Sequence, residues 1–255
     1  MFELPGIVLA LFEVAIWIAL SKYVRRKSSV LSKINTVSYY WITFTILTGI
    51  WEMAYLHNYQ YITQNLAKHL LETKTHVWFN KYPIYYILPW KFSDIFYAEY
   101  GAYADREYMS DKDTWSHMIE GTHWILCGIP CLIAMIFLVF KGYQHFRTML
   151  GVGMGCQMMN SILYMAMYQN QVNTPTSVNY NTPEFPIGLF WIKRPFMLIN
   201  LLWTILPAVL IYLDMASIDK NPKINIKIDN DFMQDEELLL QDDITETKID
   251  GVDMV

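Results

Sequence analysis

Apolar residues are gathered into five long runs, at about 5–21, 37–56, 118–140, 149–168 and 195–213, each of the length that crosses a bilayer as a helix. The polar exceptions inside these runs are few and regularly spaced. Glu13 stands in the middle of the first run, where an isolated charge is expensive, so it should face other helices. In the second, Thr45, Thr48, Glu52 and Tyr55 recur at three- or four-residue spacing and draw a polar stripe. The third carries Glu120, His123, Trp124 and Cys127 at i, i+3, i+4 and i+7, which places a carboxylate, an imidazole and an indole on one helical face. Gln157, Asn160, Ser161 and Tyr164 gather on one side of the fourth, and Asn200, Trp203 and Pro207 on one side of the fifth.

Two readings of Glu120 stay open at this level. It either complements the positive end of its helix near the interface, with Asp113 or Thr114 as cap and Trp115 in the aromatic belt, or it is an intramembrane acid with a function. Gly151, Gly153 and Gly155 lie in an apolar run with no preceding strand, so they read as close helix packing of the small-xxx-small kind, not as a nucleotide loop. The stretch 57–117, with scattered charge, Trp78, Pro83, Pro89 and Trp90, is too long for a bare loop and predicts short amphipathic helices at the membrane surface.

The pattern defines an all-α polytopic membrane protein of five transmembrane helices enclosing an intramembrane cavity, over residues 1–216, with a separate tail at 217–255. Composition agrees: 54% of residues are hydrophobic and 16% aromatic. The net charge of −5 comes from the tail. From Asp219 onward 11 acids face 4 lysines, a local −7 that leaves the rest at +2, so this segment predicts disorder and says nothing about a substrate. Lys22, Arg25, Arg26, Lys27 and Lys33 follow the first run, and Lys141, His145 and Arg147 follow the third, whereas the loop 169–186 has no Lys or Arg. By the positive-inside rule the N-terminus is lumenal and the tail cytosolic. Because the basic cluster follows the first apolar run, that run reads as an anchor and not as a cleaved signal.

Several chemistries are disfavoured. The three cysteines give neither a disulfide framework nor a CxxC spacing. Glu120 and His123 match one Glu-x-x-His unit of a di-iron protein, but the six histidines form no paired clusters, so no metal or other cofactor is expected. No G-x-S-x-G elbow is present. What remains is an apolar chamber with carboxyls, a histidine, tryptophans and amides, suited to proton transfer or to a cationic lipophilic ligand.

Over residues 5–216 the chain resembles the emopamil-binding protein group, the sterol Δ8–Δ7 isomerases and relatives that share the EXPERA domain. The resemblance rests on Glu99, Tyr100 and the run Asp105, Arg106, Glu107, Tyr108 ahead of a span opening Met118, Ile119, Glu120, Gly121, Thr122. Gly128, Ile129, Pro130 follow, then Gln157 with Ile162, Leu163, Tyr164, and last Asn200, Trp203 and Pro207. It implies a five-span protein of the endoplasmic reticulum membrane that protonates the sterol 8,9 double bond and removes a proton from C7. Glu120 then matches the third-span acid, and Asn200 and Trp203 the fifth-span amide and indole. The family's second-span His-x-x-x-Glu unit falls here on Glu52 and Leu56, with His57 next door, while Ser161 stands for an acid and His123 for a threonine. The resemblance thus makes Glu120, Glu52 and His57 the proton-handling set and His123, Trp124, Gln157, Ser161, Tyr164, Asn200 and Trp203 the substrate wall. It implies a sterol or other rigid lipophilic substrate and cationic amphiphilic ligands, and leaves a homodimer open; nucleic acid is not an expected partner. The alternative is a non-catalytic sterol-binding or trafficking protein. The run Asp235 to Leu240 has the shape of an acidic dileucine signal, which would send the chain to endolysosomal membranes instead.

Overall fold

The computed structural model describes residues 2–110, 115–180 and 195–219. The cap positions Asp113 and Thr114, residues 181–186 of the loop 169–186 and the tail from 220 onward lie outside the described residues.

Helix α1 (Gly6–Lys27) and helix α2 (Thr36–Tyr61) meet at a corner built by the basic cluster. Arg25 donates to Thr36 Oγ1 at 3.0 Å and to the Ile34 carbonyl at 2.8 Å, and the Tyr39 hydroxyl donates to the Ser21 carbonyl. Asn35 starts α2, its Oδ1 accepting from the Val37 amide at 2.9 Å and satisfying a donor that the first turn leaves free.

Where the sequence predicts the second span to stop near Leu56, the helix runs on. It passes through a wide π turn, Ile62–Ala67, into α3 (Lys68–Thr73) and ends at Lys74, which takes the left-handed conformation (φ 52°). The described residues of the stretch 57–117 form short helices, as the sequence predicts, and pack against α2 and its continuation. A short antiparallel ladder pairs β1 (Glu3–Pro5) with β2 (Lys81–Pro83), Leu4 opposite Tyr82. Helix α4 (Pro89–Glu99), with Pro at its first turn, packs on α2 and bends through a π turn at Tyr100–Ala104.

Helix α5 (Trp115–His123) continues through a third π turn, Trp124–Gly128, into α6 (Ile129–Phe140). Gly142, at φ 93°, turns the chain sharply into α7 (Tyr143–Val172), which packs along α6. The small-residue contact belongs to Gly153 alone: a Cβ there would meet Cys131 Sγ at 3.2 Å and Pro130 Cβ at 3.4 Å, whereas Gly151 and Gly155 face open space. Helix α8 (Pro195–Asp219) carries Pro207 in its interior.

The described chain is therefore mostly helical, with the three-residue ladder as a minor addition. Among the described residues, three helices are long and apolar enough to cross a membrane: Gly6–Lys27, Trp115–Phe140 and Phe196–Asp214. Helices α2 and α7, at 26 and 30 residues, are long enough at ~1.5 Å per residue but carry more polar positions. Apolar side chains form two clusters. One, rich in Tyr, Trp and Phe, joins α2, α4, the turns after them and the start of α5; the other, mostly aliphatic, joins α2, α6, α7 and Leu210.

Candidate active site

The polar stripes of α2, α5, α7 and α8 converge on one cavity of about 330 Å³, near the lower end of ligand pockets, at ~300–1,000 Å³. Helical spacing explains how each strip gets there. Thr48 and Glu52 are one turn apart on α2, Glu120 and His123 on α5, Ser161 and Tyr164 on α7, and Phe196, Asn200 and Trp203 span two turns of α8. Val14 of α1 and Ile199 of α8, respectively 40% and 56% exposed, mark its open side.

The two carboxylates facing the cavity have different surroundings. Glu120 is partnered on both oxygens: the Tyr97 hydroxyl donates to its Oε2 at 2.7 Å and the Tyr108 hydroxyl to its Oε1. Both phenols come from the segment folded over α2, which explains why the span patterns alone did not find them. Glu52 is lopsided. His123 Nδ1 approaches its Oε1 to 2.5 Å, within ion-pair range although short of a directed hydrogen bond in angle, and its Oε2 is buried with no protein partner. Behind His123, Gln157 contacts the ring at Nε2 (3.1 Å), donates to Thr45 Oγ1 and accepts from the Trp41 indole.

Aromatic rings form the wall beside this pair. Trp203 stacks on Phe44 with centroids 5.4 Å apart, leans on Trp41 at 4.5 Å and meets His123 edge-on at 5.8 Å. Trp51 also borders the cavity and donates its indole hydrogen to Glu13 Oε1 at 2.9 Å. Glu13 therefore faces α2, where it fixes the orientation of Trp51; it does not line the cavity.

Three expected residues stand outside the cavity lining. His57 is exposed and borders a separate surface depression. Five residues advance a helix by about 140°, so His57 points away from the face that carries Glu52. Trp124 begins the third π turn and lies against Gly49 and Gly128, where the α2 backbone approaches the α5–α6 helix; a Cβ on Gly49 would meet its ring at 2.9 Å. The wide turn shifts the register after His123, so the expected shared face ends there. Gln157 is fully buried behind the wall instead of lining it, and Asn200 lines the cavity while donating to the Phe196 carbonyl.

A hydroxyl chain borders the site on the α4 side. Tyr164 donates to Asp105 Oδ2 at 2.9 Å, so the 2.7 Å contact between Tyr100 and Tyr164 has Tyr100 as donor. Asp105, almost fully buried, also accepts from Asn179 and from the Glu107 amide. Burial pushes its carboxyl up to about 6, against the opposing pull of those hydrogen bonds.

No family model matches the chain, and no curated protein or solved structure matches it either.

Proposed function

We propose that the chain is a membrane-embedded sterol Δ8–Δ7 isomerase in which Glu52 delivers one proton and Glu120 accepts the other. The observation that carries the reading is the pair of unlike carboxylates facing one apolar, aromatic-walled cavity. Isomerisation needs one acid and one base and no redox partner. The O–H bond of one carboxylic acid breaks as a C–H bond forms at C9; the C7–H bond then breaks, its electron pair forming the new double bond to C8 and its proton passing to the second carboxylate. Glu52, with Oε2 unpartnered, suits the donor. Glu120, positioned by one phenol on each oxygen and with further lone pairs free, suits the acceptor. The cation between the two steps is a tertiary carbocation in an apolar skeleton, and the rings of Trp203, Phe44 and Trp51 offer π faces to stabilise it.

In this reading all five long helices cross the bilayer, the cavity opens sideways to lipid between α1 and α8, the N-terminus is lumenal and the protein resides in the endoplasmic reticulum. His123, in place of His57, partners Glu52. A second reading, a sterol- or cationic-amphiphile-binding protein without catalysis, is favoured by the two phenol donors that hold Glu120, which suit a counter-ion as well as a base. Complementation of a cell lacking Δ8–Δ7 isomerase separates the two. Growth on the wild-type chain supports catalysis; failure to complement by a chain that still binds sterols and amines selects the binding protein.

A further inference from the structure

Hydrogen-bond donors and acceptors behind the cavity wall form a chain with a fixed direction. An indole N–H can only donate, so the atom of Gln157 that meets Trp41 Nε1 at 2.9 Å must be the amide oxygen. The amide nitrogen therefore points the other way, to Thr45 Oγ1 at 3.2 Å and His123 Nε2 at 3.1 Å. Thr45 gives its own hydrogen to the Trp41 carbonyl at 3.0 Å, which leaves its oxygen free to accept from Gln157. Both amide hydrogens are thus committed as donors, and His123 Nε2 can only accept. The ring hydrogen must sit on Nδ1, facing Glu52 Oε1.

We propose that Gln157, oriented by Trp41, is a positioning residue that holds His123 as the Nδ1–H tautomer and so directs any proton carried by Glu52 onto Oε2. The protonated Nδ1 stands 2.5 Å from Oε1, though not aimed along a hydrogen bond, so a proton on Oε1 would crowd it and Oε2 is the carboxyl oxygen left for whatever fills the cavity. Trp41, half-buried, and Gln157, fully buried, stand outside the cavity lining and act through His123, without touching a ligand themselves. The tautomer follows from the hydrogen-bond pattern alone; its value for proton delivery rests on the isomerase reading, and the two are tested by different measurements.

The full chain, labelled with ¹⁵N-histidine and placed in lipid nanodiscs, reports the tautomer directly. Its six histidines are resolved by subtraction of the spectrum of His123→Asn. The wild-type His123 signal should be that of a ring protonated at Nδ1. Gln157→Glu preserves the acceptor for Trp41 but presents an acceptor to Nε2 as well, so it should bring a proton to Nε2; Gln157→Leu should abolish the preference. A wild-type ring protonated at Nε2, or a tautomer unchanged in both variants, overturns the proposal. On a Δ8 sterol, Gln157→Leu should lower kcat by on the order of 10²-fold with KM unchanged, and a rise in KM at constant kcat would remove the positioning role. A wild-type chain inactive on every Δ8 sterol sinks the isomerase reading, while the nitrogen spectrum still decides the tautomer.

Discussion

The two sides of the cavity are built from opposite materials. On the α4 side, Tyr97 and Tyr108 hold Glu120, and Tyr100 and Tyr164 lead to Asp105, so hydroxyls meet almost every acceptor. On the α8 side, Trp41, Phe44 and Trp203 surround the Glu52–His123 contact with rings, and one carboxylate oxygen has no partner. A buried carboxylate with both oxygens satisfied is held in one position, whereas one with an unpartnered buried oxygen is held at a cost that something else must offset. On the proposed isomerase reading the sides would divide the work: one fixes a proton acceptor, the other leaves a proton donor facing the cavity.

The sharpest way to break this comparison is to neutralise each side in turn. Glu52→Gln and Glu120→Gln should each reduce complementation by at least ~10²-fold, the size of a positioned acid or base, while sterol binding survives. Equal, full activity in either variant would end the division of roles.

Next in size is a pH effect on the tyrosine side. Folded Asp105 ionises near about 6, above its ordinary 3.8, so the folded state retains a proton that the unfolded chain has released. Stability is therefore fully present below about 4 and declines as pH rises through about 6, by roughly 3 kcal/mol at ~1.4 kcal/mol per tenfold. Thermal midpoints from pH 4 to 7 should fall in the wild type relative to Asp105→Asn; parallel curves would remove the burial argument.

On the aromatic side, Trp203→Ala should weaken cationic amphiphile binding about tenfold, by loss of ~1–2 kcal/mol of cation–π attraction, measured by displacement of a radiolabelled amine. Tyr97→Phe leaves Glu120 with its Tyr108 hydrogen bond and should cost less activity than either carboxamide. His57→Ala should leave complementation unchanged, since His57 is exposed and outside the cavity.

Much of this was legible in the chain. Helical periodicity determined that Glu52, Glu120, His123, Ser161, Tyr164, Asn200 and Trp203 would reach common faces, because a period of 3.6 needs no knowledge of neighbours. The apolar runs determined which segments are long and apolar, and Glu13 had to find a partner because an isolated buried acid is too costly. Only the tertiary structure decided which residues complete each site. The π turn at Trp124–Gly128 breaks the periodic extrapolation and carries Trp124 to the Gly49–Gly128 crossing. The segment from Pro89 to Met109 folds back to supply Tyr97 and Tyr108 to an acid that lies more than ten residues further along the chain. The partner of Glu52 likewise comes from α5, not from the neighbouring turn of its own helix. Local spacing specifies a face, but donors and acceptors that meet across helices depend on how those faces are rotated and packed.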